Sequence, residues 1–465
     1  MRLSLYPRAL SIPLTCFLLF LTVQHIAVSE DTGTASEKEL SPRYGIAALE
    51  AMGSNLFLLG INRYIRQADY AMISPDSMRT NLTTWWAWDQ DEFSVNQIGH
   101  PYQGSYYFIA GRSNNLNFWE SSLLTLGSSA TWELLMETEL PSINDLVVTS
   151  LGGIAVGEMF HRLYLEADAN NLPARWVISP LDSLNSEIFE ESPRIHPSRS
   201  SLRQAYLAGG IVLADYELDG TRNYEAAENN FSAYANGQII YGDPYTPGSI
   251  TPFEHFEQRF RINLSDTFYS ASFFSDGSLA AFPLYDLPHS QGTAFASLHY
   301  DFIFSSLVNF SANSIGLSFK TQHHLGSSWY LSAKLHLNWI ILGASEYIHL
   351  WYDAPSDNGD ERRNYDLGTG EGGKFYFEVS HNKIGSLLID YSYYGLHTIA
   401  DSVPDYGSTG YSIIEILDIA FERRFFGDWY TGVSTTSYHK RGVYDEAPDT
   451  NDIISSLNFY VKHSL

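Results

Sequence analysis

Residues 329–339 read WYLSAKLHLNW. Trp329, Leu331, Ala333, Leu335, Leu337 and Trp339 fall on one face of an extended strand, and Tyr330, Ser332, Lys334, His336 and Asn338 on the other. The apolar face is long and carries an aromatic at each end. The same period of two recurs in IGLSFKT (Ile315, Leu317, Phe319), KFYFEVSHN (Phe375, Phe377, Val379), LLIDYSYYG (Leu387, Ile389, Tyr391, Tyr393) and SLNFYVKHSL (Leu457, Phe459, Val461, Leu465). About twelve such strands, of the roughly ten-residue length found in transmembrane barrels, follow residue 202. A soluble sandwich or a lipocalin-like barrel alternates in the same way, with its apolar face turned inward. Three features favour a membrane barrel: long strands, abundant aromatics, and polar faces bearing bulky Tyr, Lys, His and Glu that suit a wet lumen. On that reading Trp329 and Trp339 belong to the two aromatic belts of a lipid-facing surface.

Loop lengths support the topology. The connections at 324–328 (HLGSS), 382–386 (NKIGS) and 425–428 (FFGD) are short, and those at 343–372, 398–409 and 440–451 are long. Short periplasmic turns and long outer loops are the outer-membrane pattern. It places the C-terminus, and with an even strand count the region before the barrel, in the periplasm. The alternation weakens between 243 and 310, where SDGSLAAFPLYDLPHSQG (275–292) reads as an unusually long inner turn.

The chain begins with the form of a secretory signal. Arg2 and Arg8 precede an apolar stretch from Ala9 to Val23, and Ala27 and Ser29 are small residues before a cut at Glu30, so residues 1–29 are expected to be removed. The apolar stretch is shorter than the ~20 residues of a spanning helix. Cys16 is the single cysteine and lies inside it. The preceding Pro13 and Thr15 do not suit a lipidation site, so the mature chain is expected to lack disulfides and thiol chemistry. Lys and Arg number 27 against 53 Asp and Glu, a formal charge of −26. A phosphate-binding surface is basic, so nucleic acid is excluded as a partner.

Beyond the signal no run reaches 18 apolar residues, which argues against a helical integral membrane protein. Residues 40–168 read as helical. In GIAALEAMGSNLFLLGINRYI, Ile46, Leu49, Met52, Leu56 and Leu59 recur at helical steps. Ser74 and Pro75 mark a helix start, and Pro141 separates two further helices rich in small residues such as Gly127, Ser128, Gly152, Gly153 and Gly157. Residues 169–201 hold four prolines and no sustained period, and read as a linker. The expected fold class is therefore α+β: a helical domain, a linker, and an antiparallel transmembrane barrel over 202–465.

The helical half concentrates polar residues within apolar text. His100, Ser105 and Arg112 lie in one segment, Glu133, Glu137 and Asp145 in a second, and Glu158, His161 and Arg162 in a third. Glu133 and Glu137 share a helix face, as do Glu158 and Arg162, whose spacing favours an ion pair. The order NQIGHPYQGSYYF, Trp132-Glu133, PSIND (141–145) and Gly157-Glu158 with HRL (161–163) resembles the bacterial family catalogued as domain of unknown function 3943. The resemblance covers roughly residues 80–165. It implies an envelope protein with a β-rich C-terminal part, no known reaction, and a signature of His100, Pro101, Gly104, Ser105, Arg112, Trp132, Glu133, Pro141, Asn144, Asp145, Gly157, Glu158 and Arg162.

Three chemistries fit these residues to different degrees. Glu158-x-x-His161 is half of a di-iron signature, but Met136 and Leu140 stand where the other half needs histidine. A single metal on His100, His161 and a carboxylate is the other metal reading, and no metal is expected. Ser105, His100 and Asp145 offer a nucleophile, base and orienter for an envelope-lipid acyl-ester hydrolase, although Ser105 sits outside a Gly-x-Ser-x-Gly elbow. The remaining reading is a buried network in which Arg112 and Arg162 satisfy carboxylates among Glu133, Glu137 and Glu158. No nucleotide motif occurs, so no cofactor is expected. The acidic segment 353–373 suits a solvated outer loop with room for divalent cations. The expected function is a structural or transport role, with the helical domain capping the barrel's inner mouth, and the hydrolase is the alternative. Outer-membrane lipid and the barrel-assembly machinery are the expected partners.

Overall fold

The computed structural model describes residues 41–189, 201–217, 230–245, 251–264, 269–305, 308–346, 363–403 and 407–464. The expected signal peptide and most of the acidic loop before residue 363 lie outside these. The described chain divides into two compact units, one running to Ser201 and including Arg363, the other beginning at Leu202.

Seven α-helices occur among the described residues of the first unit: α1 Tyr44–Gly60, α2 Pro75–Thr83, α3 His100–Ser113, α4 Phe118–Leu135, α5 Ile143–Ala169, α6 Arg175–Ile178 and α7 Pro180–Phe189. Their starts follow the sequence. The Ser74 hydroxyl accepts from Ser77 N–H with Pro75 in the first turn, and Asn117 and Glu120 cap α4 reciprocally. Helix α5 is the axis of the unit, buried along most of its length, and α3 crosses it closely. A Cβ on Gly104 would lie 1.9 Å from the Thr149 carbonyl, and one on Gly153 2.5 Å from the Gly104 carbonyl carbon. Only glycine lets these two backbones touch.

The linker expected over 169–201 is shorter than that. Helices α6 and α7 occupy Arg175–Phe189, and Pro180 opens α7. Proline there starts a helix, where its missing N–H costs nothing, and a ten-residue helix is too short to show a period. A second difference concerns α1. Of its periodic apolar residues Leu59 is buried, whereas Leu49, Met52 and Leu56 are exposed.

The second unit is a closed antiparallel barrel of twelve strands: β1 Leu202–Glu217, β2 Asn230–Tyr241, β3 Phe256–Leu264, β4 Tyr269–Leu287, β5 Ser290–Ser305, β6 Asn309–Leu325, β7 Trp329–Glu346, β8 Tyr365–His381, β9 Gly385–Thr398, β10 Gly410–Phe426, β11 Trp429–Tyr444 and β12 Thr450–Ser464. Each pairs with its sequence neighbours, and β1 pairs with β12 from Tyr206↔Ser464 through Glu217↔Ile453 to close the sheet. The long inner turn expected at 275–292 does not exist. It is the end of β4 and the start of β5, with irregularities at Ser278/Ala280 and Pro283/Tyr285 that break the alternation without ending the strand.

Strand β7 shows the two faces. Trp329, Leu335, Leu337 and Trp339 are exposed, while Ser332, His336 and Asn338 are buried inside. Outward residues of other strands, among them Leu317, Phe375, Phe421, Leu457 and Phe459, are exposed as well. Ten residues separate the two tryptophans, about 33 Å along the strand, or about 25 Å once tilted by the ~40° of a barrel. That is the height of the apolar band of an outer-membrane barrel.

Leu335→Arg should therefore cost about 2–4 kcal/mol in the folding of the bilayer-inserted protein. Ser386→Arg, whose side chain lines the lumen, should cost far less. Urea titration of the protein in vesicles compares the two, and equal losses contradict the assignment of faces.

Candidate functional site

The helical unit gathers its polar residues along α5. Glu158 is fully buried and receives two guanidinium groups: Arg112 Nε at 2.8 Å and Nη2 at 3.4 Å from α3, and Arg162 Nε at 2.9 Å one turn along. The ion pair expected between Glu158 and Arg162 is present, and Arg112 joins it rather than serving a second carboxylate. Arg112 Nη1 also donates to the Leu116 carbonyl at 2.9 Å. His161 turns away from Glu158 to Asp182, at 3.0 Å. Asp182 also accepts from the Ser179 hydroxyl at 2.7 Å.

A second polar group lies at the start of α5. Ser142 caps the helix through Asp145 N–H, and Ser142 N–H donates to Glu133 Oε2 at 2.9 Å. Asn144 donates to Asp145 Oδ1 at 2.9 Å. His100 Nε2 is 3.7 Å from the same oxygen, and its Nδ1 is 3.2 Å from the Thr149 hydroxyl. Glu137, in the turn after α4, holds its proton well above the usual carboxylate range, because burial and the neighbouring Glu133 both disfavour its charge.

The expected triad is only partly assembled. His100 and Asp145 approach each other, but the buried Ser105 hydroxyl donates to the Tyr102 carbonyl at 2.6 Å. Five residues separate Ser105 from His100, which turns the two side chains well apart around α3. Asp182 and Asn81 were not legible as participants. Asn81 Nδ2 donates to the carbonyls of Glu133, Glu137 and Glu139 at 3.3, 3.1 and 2.8 Å, fastening α2 to the end of α4. A lone asparagine 52 residues from its partner leaves no pattern in the sequence.

The barrel lumen is the larger site. Arg259 on β3 pairs with Asp390 on β9, and Arg261 on β3 with Asp418 on β10 at 3.0 Å. In a ring of twelve, β3 and β9 stand opposite each other. Lys320 on β6 donates to Asp276 at 2.9 Å and Glu257 at 3.0 Å, and Lys334 on β7 reaches Glu257 at 2.5 Å. Lys374 on β8 meets Asp301 on β5 at 2.6 Å, and Lys462 meets Glu422. These six cations and six carboxylates neutralise one another within the lumen. A cavity of about 960 Å³ runs along the lumen, lined near the short turns by Arg203 and Tyr330, farther in by Arg259, Arg261, Asp390 and Asp418 themselves, and beyond them by Val308 and Ile416. Toward the long loops Val308, Phe310, Ile340, Leu396, Ile414 and Ile416 form an apolar cluster. Sequence alternation pointed Lys334 and His336 inward, but not to their partners.

Glu158→Gln leaves two guanidinium groups sharing a neutral amide, and breaking a buried pair of this kind costs about 3–5 kcal/mol. Limited proteolysis should show the helical unit lost at lower denaturant while the barrel persists. Glu137 supplies a pH dependence. The folded chain keeps a proton that the unfolded chain releases near 4.5, so this group's contribution to stability is full below that pH and declines as pH rises above it. Glu137→Gln should flatten the decline in the melting temperature of the helical unit, and an unchanged pH profile contradicts the assignment.

No curated protein sequence matches the chain. Among solved structures, the CymD monoaromatic hydrocarbon channel is 10% identical, with 56% of this chain and 88% of that one covered at a TM-score of 0.24. The KdgM porin is 7% identical, covering 55% and 99% at 0.22, and a Pseudomonas aeruginosa FadL homologue 9%, covering 56% and 89% at 0.27. TM-scores this low carry no weight for function. Glu158 and Asp145 lie within residues 85–181, which match the model of the family described as "Domain of unknown function (DUF3943)".

Proposed function

We propose that the protein resides in an outer membrane and that its barrel is a closed, gated conduit rather than an open diffusion pore. The apolar band supports residence in a bilayer, and the strand and turn pattern supports the outer membrane. The observation that carries the gating is the set of ion pairs linking β3 to β9 and β10 across the lumen. Both pairs line the lumen cavity, and so do Val308 and Ile416 of the apolar cluster, so a solute moving along it passes the paired charges and then the edge of that cluster. Such pairs, once separated, leave uncompensated charge, so opening needs a solute or partner that replaces the lost contacts.

In this reading the short turns are periplasmic. The chain enters β1 at Leu202 from that side, since the start of β1 lies beside the end of β12 and the short turn at 427–428. Outer-membrane lipid and, during insertion, the barrel-assembly machinery are its partners. We do not adopt a helical cap over the inner mouth, because the exposed positions of α1 and α4 are apolar and water is a poor neighbour for them. The hydrolase is not proposed either, since the Ser105 hydroxyl is engaged by Tyr102.

Planar-bilayer recordings test the gate. The wild-type protein should show little steady conductance. Arg259→Ala combined with Asp390→Ala removes both partners of one bridge and should raise it severalfold. A wild-type conductance equal to that of the double variant contradicts the proposal.

A further inference from the structure

Helices α1 and α4 are inverted relative to a soluble bundle. The exposed residues of α1 are apolar, aromatic or glycine throughout, with Leu49, Leu56 and Phe57 the most prominent. The exposed residues of α4 are Trp119, Leu123, Leu126 and Gly127. The buried side of α4 is largely polar, with Ser121, Thr125, Ser128, Ser129 and Glu133 beside Phe118 and Trp132, and that of α1 sets Asn55 among Ala47, Ala51 and Leu59, so the bulkiest apolar side chains of α1 lie outside. Helix α2 of the same unit differs, exposing Asp76, Arg79, Thr80 and Thr83 beside Pro75 and Leu82.

The two inverted helices form one surface. Tyr44 donates to Glu120 at 2.7 Å, Asn55 to the Ser128 carbonyl at 3.2 Å, and Leu59 shares a cluster with Trp132. They therefore run side by side in the same direction for about 24 Å. Helix α1 and the π-helical turn that continues it extend from Tyr44 to Arg66, 23 residues, or about 34 Å. Arg43 and Tyr44 stand at one end of this segment, and Arg63, Tyr64 and Arg66 at the other. An apolar length near the ~30 Å of a hydrocarbon core, bracketed by tyrosine and arginine, is the arrangement of a membrane segment. The glycine contact between α3 and α5 and the buried ion pairs on α5 are the packing expected where lipid offers no driving force for burying leucine.

We propose that the exposed side of α1 and α4 lies against the acyl chains of the bilayer that holds the barrel. An exposed protein-binding patch of this extent would carry a polar rim, and these helices expose no charged side chain. The choice of bilayer rests on the proposed residence of the barrel.

The test uses the full-length protein in vesicles of phosphatidylethanolamine and phosphatidylglycerol. Cys16→Ser removes the single native cysteine, and Leu56→Cys, Leu123→Cys, Asp76→Cys and Leu335→Cys each introduce one spin label. Collisions with oxygen report lipid, and collisions with a water-soluble nickel chelate report solvent. Labels at 56 and 123 should favour oxygen, like the barrel label at 335 and in reversal of the label at 76. If 56 and 123 follow 76 while 335 stays in lipid, this inference falls and the barrel stands. If 335 also follows 76, the membrane reading of the barrel falls with it. Exclusion of both reagents at 56 and 123 indicates a protein neighbour, such as a second copy, and overturns the inference too.

Discussion

The pairing of β1 with β12 is the contact on which the rest of the barrel depends. Inside a bilayer no water reaches an unpaired N–H or C=O, and each such group costs several kcal/mol, so a sheet survives there only when it has no edge. Twelve antiparallel strands joined end to end meet that condition, and the register Gly210↔Tyr460 lies in the middle of the seam. Closure then dictates the side chains. One face of every strand meets lipid and must be apolar. The other is confined with its neighbours in a narrow lumen, where any charge must find its opposite.

That second demand explains the interior. Glu257 receives both Lys320 and Lys334, and Asp301 receives Lys374 and the Tyr394 hydroxyl. Because these partners sit three or four strands apart around the ring, the contacts brace non-adjacent strands against one another as well as neutralising the lumen. The helical unit meets the same demand with one carboxylate, Glu158, shared by Arg112 and Arg162. Both units thus turn much hydrophobic surface outward, while the lumen and the surroundings of Glu158 hold paired charges inside.

The architecture was legible wherever periodicity and chemistry acted locally. The alternation from Trp329 to Trp339 located a strand and its two faces, and Ser74-Pro75 located a helix start. The four-residue spacing of Glu158 and Arg162 located their ion pair. Partners distant in sequence were not legible: Arg259 and Asp390 are 131 residues apart, and nothing near either names the other. The segment from Ser275 to Gly292 misled because Pro283 and the two irregularities interrupt the period while hydrogen bonding continues. Helix α1 shows a different limit. Its periodicity marks a helix but is silent on which side faces the interior, and there the interior takes Asn55 and Leu59 while the outside takes Leu49 and Leu56. For the triad, residue type suggested Ser105 and His100, but five-residue spacing on a helix sets them on different sides.

Closure of the seam is the central claim, and hydrogen–deuterium exchange of the protein in a lipid bilayer measures it directly. A closed barrel protects the amides of Ala208–Val212 and Asn458–Lys462 as fully as those in the middle of β6 and β7. Rapid exchange confined to β1 and β12, with the other strands protected, would show an open sheet and contradict the structure described here.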